Sequence, residues 1–136
     1  MYTKQSSVLT DEAVLAMLQA AAARATELGQ PQCVVIVDAS GVTLAQIRMT
    51  GAKYLSLQSA ETKARTAASI RAPSDAIPEA VGLSIAAATQ GQVTRLSGGL
   101  PILLDAQCLG GIGVGSGTPE QDVDVARCAL RAIGFG

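Results

Sequence analysis

Apolar residues recur along the chain in two rhythms, one of period near 3.6 and one of short continuous runs. Val14, Leu18, Ala21, Ala25 and Leu28 are spaced by four, three, four and three residues. That spacing predicts an amphipathic helix, capped by Thr10-Asp11-Glu12 and ended near Gly29-Gln30-Pro31. Residues 33–37, CVVIV, form a β-branched run suited to a strand buried on both faces. The turn Asp38-Ala39-Ser40-Gly41 and the run VTLAQIRM (42–49) complete a hairpin with the first strand central.

Helical spacing returns from Leu55 to about Ile70, with Leu57, Ala60, Ala64 and Ala67 on one face and Glu61 four residues before Arg65. Small side chains on that face allow close approach to a sheet. Two prolines mark 71–82 as a loop in which any mobility would concentrate, leading into a short helix from Pro78 to about Ala88. Three strands are then expected: QVTRL (92–96), LPILLD (100–105) and CLGGIGVG (108–115). A final helix runs from Thr118 to about Ile133, with Pro119 at its first position and Gln121 completing a capping box. Strands gathered in groups rather than alternating with helices predict an α+β fold of about five strands in a single domain, residues 1–136.

The glycine-rich run 110–122, GGIGVGSGTPEQD, does not match the spacing of a dinucleotide fingerprint or a P-loop. Strand alternation explains it better: Gly111, Gly113 and Gly115 leave one face bare while Ile112 and Val114 pack on the other. The small-residue helix, a symmetry mate or a ligand would each fit against that bare strip. Free backbone N–H groups at Ser116, Gly117 and Thr118 suit an anion, although Glu120 and Asp122 oppose one. Lys63 and Arg65 lie about 200° apart around their helix, so one is expected to face the sheet and the other solvent. Either supplies a cation for an anionic ligand; otherwise Arg65 pairs with Glu61 and Lys63 is a solvated surface residue. Arg48 and Arg95 are expected at strand ends, and Asp38 and Asp105 as turn residues.

Ten lysines and arginines against eleven acids give a net charge of −1, with no basic run, which argues against a nucleic-acid partner. Charged residues make up only 15% of the chain, favouring a homo-oligomer that buries surface. The absence of a membrane-length apolar run or a hydrophobic leader points to the cytoplasm. Three cysteines without CxxC spacing predict neither disulfides nor a zinc site, and Cys33, Cys108 and Cys128 are expected to be small buried residues. Histidine is absent, which removes the commonest general base and metal ligand; no metal site is expected.

The motifs KARTA (63–67), SGGLPI (97–102) and GGIGVGSGTPEQD (110–122), with VVIVDASG (34–41) and IRMTGA (47–52) before them, resemble the GlcG/HbpS family, which includes the C-terminal domain of PduO-type proteins. The resemblance implies a profilin-like or PAS-like sandwich, a five-stranded antiparallel sheet flanked by helices, assembled as a dimer, tetramer or octamer. It also implies an accessory protein binding a tetrapyrrole, haem or a cobalamin-related ring, or a small organic acid. The expected pocket lies between strand 109–115, the helix carrying Lys63 and Arg65, and the loop 71–82. Without histidine, haem iron would take its ligand from Cys33, Cys108, Tyr2, Tyr54 or Met49. Two other readings remain: an isomerase, lyase or cyclase using Lys63, Tyr54 or a carboxylate, and a structural oligomer whose glycine strip serves packing alone.

Overall fold

The computed structural model describes residues 1–135. Helix α1 (Asp11–Glu27) is capped by the Thr10 side chain, which accepts from the Ala13 N–H, and precedes the hairpin β1 (Cys33–Asp38) and β2 (Thr43–Arg48). Helix α2 spans Leu55–Ile70, and two short 3-10 turns, Ser74–Ala76 and Glu79–Val81, lead into α3 (Gly82–Ala88). The chain ends with β3 (Gly99–Leu104), β4 (Gln107–Gly115) and α4 (Pro119–Ala132), the last opened by the expected capping box of Thr118 and Gln121.

One antiparallel sheet of order β2-β1-β4-β3 lies between two helical layers. The architecture is α+β as expected, but the sheet has four strands rather than five. Residues 92–96 form no strand because neighbouring side chains take up their backbone groups. Thr66 Oγ accepts from the Thr94 N–H, and the Ser74 hydroxyl donates to the Leu96 carbonyl. Gly98, at a φ of +118°, then turns the chain into β3. Arg95 consequently lies outside any strand and donates from Nε to the Ile77 carbonyl. The loop 71–82 is pinned to the body by buried Ser74 and Ile77.

Alternation in the central strands divides the core in two. Val34, Ile36, Ile112 and Val114 face α1 and α4, where Met17, Ala21, Val125 and Ala129 complete the larger cluster. Cys33, Val35 and Val37 face α2 and meet Ala60, Ala64 and Ala68. On β4 the positions turned to α2 are the glycines, and α2 fills their face. A Cβ at Gly113 would strike the Ala60 carbonyl oxygen and lie 2.6 Å from Ala64 N; one at Gly111 would strike the Ala64 carbonyl oxygen. At Gly115 the approach relaxes to 3.0 Å from Ser56 O. Among the cysteines, Cys33 is buried as expected, whereas Cys108 and Cys128 are only half-buried because they sit at the margins of the layers.

Across the other layer, Arg24 of α1 grips Asp124 of α4 with two hydrogen bonds, Nε to Oδ1 at 2.8 Å and Nη2 to Oδ2 at 3.0 Å. The hydrogen bonds from Arg24 hold the Asp124 carboxyl below its ordinary range.

Two outcomes follow from this packing. Gly113→Ala should cost about 3 kcal/mol or more in urea denaturation and Gly115→Ala about 1 kcal/mol, since the first drives a methyl deep into helix backbone whereas the second meets it only at 3.0 Å. Because the folded Asp124 carboxyl titrates below its unfolded value, the pair contributes stability above about pH 3.9 that disappears as pH falls through the folded pKa. The difference in melting temperature between wild type and Asp124→Asn should therefore shrink on acidification below about pH 4.

Candidate functional site

Three segments that are distant in sequence converge where β4 ends. Strand β4 delivers Val114 and the turn 115–117, the Gly98-Gly99 step enters β3 beside it, and Lys63 arrives from α2. Asp122 enters from α4 on the opposite side of the sheet. Lys63 is 5% exposed and Asp122 4%. Lys63 Nζ donates to Asp122 Oδ2 at 3.0 Å and to the Val114 carbonyl at 2.8 Å. Asp122 Oδ1 accepts from Gln32 Nε2 at 2.6 Å and from the Gly117 N–H at 3.0 Å. The ion pair thus bolts the two helical layers together around the end of the sheet.

Glycines flank the path of the pair. A Cβ at Gly98 (φ +118°) would lie 2.6 Å from the Val114 carbonyl oxygen, 2.9 Å from Asp122 Cβ and 3.1 Å from Lys63 Nζ, and one at Gly117 would collide with Gln32 Nε2. Burial pushes the Asp122 carboxyl above its ordinary value, opposed by the Lys63 ammonium and the Gly117 N–H. Gln32 Oε1 is buried without a hydrogen-bond partner among the described residues.

The expected site residues separate. Lys63 faces inward and Arg65 outward, in keeping with their angular offset, but Lys63 spends its charge on Asp122 rather than in solvent. Arg65 makes the anticipated pair with Glu61 at 2.7 Å and also donates to the Gly41 carbonyl and to Gln92 Oε1. It borders an open cleft of about 590 Å³ with Ser40, Ser69 and Val93. Gly111, Gly113 and Gly115 lie under α2, so the space expected between that strand and that helix is filled by helix backbone. Ser116, at a φ of +84°, accepts from the Lys53 N–H through its hydroxyl, and its carbonyl accepts from Gln30 Nε2. Thr118 is occupied as the α4 cap.

Asp122 and Gln32 were missing from the sequence reading as members of a network. A signal for Asp122 did exist, since 122, 125, 126 and 129 form one inward stripe on α4, and an acid on an apolar stripe demands a partner. Gln32 carries no such signal. Among the described residues no group of three or more acids and cysteines is placed to hold a metal, and no helix is long and apolar enough to cross a membrane.

A second feature lies at the start of α2. Tyr54 is 64% exposed and shares an open cleft of about 550 Å³ with Lys53, Leu55, Ser56 and Ser59. The first turn of α2 carries no acid, so its N-terminal dipole and the Lys53 ammonium reinforce each other.

The fold and the buried pair define a small α/β/α sandwich protein in which glycine motifs let a helix and a lysine approach the sheet end. Residues 9–131 match the family described as haem degrading protein HbpS-like, and the chain belongs to that family. It is 35% identical over 125 residues to a corrinoid adenosyltransferase PduO of Salmonella typhimurium, a match covering 88% of this chain but 37% of that protein. The chain therefore spans little more than a third of that relative. The solved PduOC:haem complex superposes with a TM-score of 0.89 at 31% identity, covering 96% of this chain and 98% of that one. The Klebsiella pneumoniae protein ORFY superposes with a TM-score of 0.92, also at 31% identity, over 97% and 94% of the two chains.

If the Lys63–Asp122 pair is a structural bolt, Asp122→Ala should cost about 3–5 kcal/mol because it strands a buried ammonium. The double variant Lys63→Met/Asp122→Leu should lose markedly less than the sum of its single changes. A double-mutant cycle in urea checks both statements.

Proposed function

We propose that this protein is a cytoplasmic, homo-oligomeric accessory protein that binds a carboxylate-edged tetrapyrrole of the haem class in the Tyr54 cleft. The observation that carries the reading is the pairing there of an exposed phenol with a lysine at an acid-free helix start. Near full-length similarity to a chain solved in complex with haem supports it. Tyrosine is an established axial ligand of haem iron. Tyr54 would hold the iron, Lys53 and the α2 N-terminus a propionate, and Leu55, exposed beside them, part of the ring face. Bound haem supplies a redox-active iron centre. The chain's own contribution is to orient the ring and neutralise its acidic edge.

Carboxylates at the ring edge favour haem over a corrinoid, whose periphery is largely amide and gains less from Lys53 and the helix dipole. Three free cysteines suit a reducing compartment. Exposed Val42, Leu44, Leu83 and Leu96 offer apolar surface for self-association.

Titration with haem should give a saturable one-to-one Soret change in wild type. Tyr54→Phe should alter the position of the bound Soret band, and Lys53→Ala should weaken affinity by about tenfold. An unchanged spectrum in Tyr54→Phe would eliminate the phenolate ligand, and a tighter response to cobalamin than to haem would redirect the reading to corrinoids.

A further inference from the structure

We infer a second ligand site, for a small oxyanion, on the outer face of α4. A cleft of about 550 Å³ runs along this helix, bounded by Arg24, Ser97, Val123, Asp124, Arg127 and Arg131. Three of the ten cationic side chains in the sequence are gathered on it. Arg24 holds Asp124 through two hydrogen bonds and also pairs with Glu27 at 2.9 Å. Asp124 is thus engaged by Arg24, while its carboxylate also lies within electrostatic reach of Arg127 and Arg131.

Arg127 and Arg131 stand one helical turn apart, both exposed, and neither takes part in an ion pair or a side-chain hydrogen bond among the described residues. Two like charges at i and i+4 repel. Arg131, in the last turn, is compensated by the helix dipole; Arg127 is not, and has only a share of the Asp124 carboxylate that Arg24 already holds. An anion between the two guanidinium groups relieves the repulsion and takes donors from both. Glu120 at the far end of the cleft opposes an anion there and confines the favourable zone to the Arg127–Arg131 end. Val123 gives the cleft an apolar wall for a carbon skeleton. The ligand class is a small metabolite with at least two anionic oxygens, a phosphate ester or a dicarboxylate. This site shares no residue with the Tyr54 cleft and does not rest on haem binding.

Inorganic phosphate and succinate, titrated separately by calorimetry at low ionic strength, test the assignment and tell the two sources apart. Saturable one-to-one binding of at least one probe is expected, weakened by about tenfold in Arg127→Ala and in Arg131→Ala. Both residues are exposed, so unchanged melting temperatures should accompany the loss. Failure of both probes to saturate, or retention of binding in the double arginine variant, would overturn the site. Haem titration of the same variants should be unchanged; loss of haem binding together with phosphate binding would overturn the assignment of a separate oxyanion site.

Discussion

The contact between the backbone of α2 and the glycine face of β4 governs the rest of this molecule. An α-helix ordinarily packs on a sheet through side chains, which hold the two backbones apart. Here Ala60 and Ala64 on the helix meet Gly111 and Gly113 on the strand, and the helix carbonyls rest where side chains would otherwise stand. Such proximity gains dispersion contact and excludes water from the α2 face without large apolar residues. It also leaves no tolerance, because backbone cannot rotate away from an added methyl as a side chain can.

Lowering α2 onto the sheet brings Lys63 within reach of the other layer. A lysine on a helix held farther out would turn to solvent; here its stem runs past Gly98 and its ammonium meets Asp122 beyond the end of β4. Desolvation of such a pair is costly, and the network offsets it by giving the carboxylate three donors and the ammonium two acceptors. Its value lies in specificity, since sliding α2 against β4 and α4 would part Lys63 from both Asp122 and the Val114 carbonyl.

The sheet face under α2 is closed by small residues and the buried pair, and the open clefts lie at the periphery. The Tyr54 cleft lies at the turn that enters α2 and the arginine cleft on the outer face of α4. The glycine motif that draws the eye in the sequence acts indirectly, by fixing the helices that line these clefts.

Local rules made much of the architecture readable. Helices α1 and α2 announced themselves by apolar period, α4 by the Thr-Pro-Glu-Gln capping pattern at its start, and the central position of β1 by its unbroken β-branched run. The bare glycine face followed from strand alternation, and the opposite orientation of Lys63 and Arg65 from helical geometry. Other features depended on tertiary structure. Residues 92–96 have strand-like composition, yet Thr66 and Ser74 capture their hydrogen bonds before a neighbouring strand can. Composition cannot show which partner reaches a backbone group first. Nor could sequence reveal that Lys63 and Asp122, 59 residues apart, share one buried site: a side chain's surroundings are set by the layers that close around it, whereas its periodicity is set by its own chain.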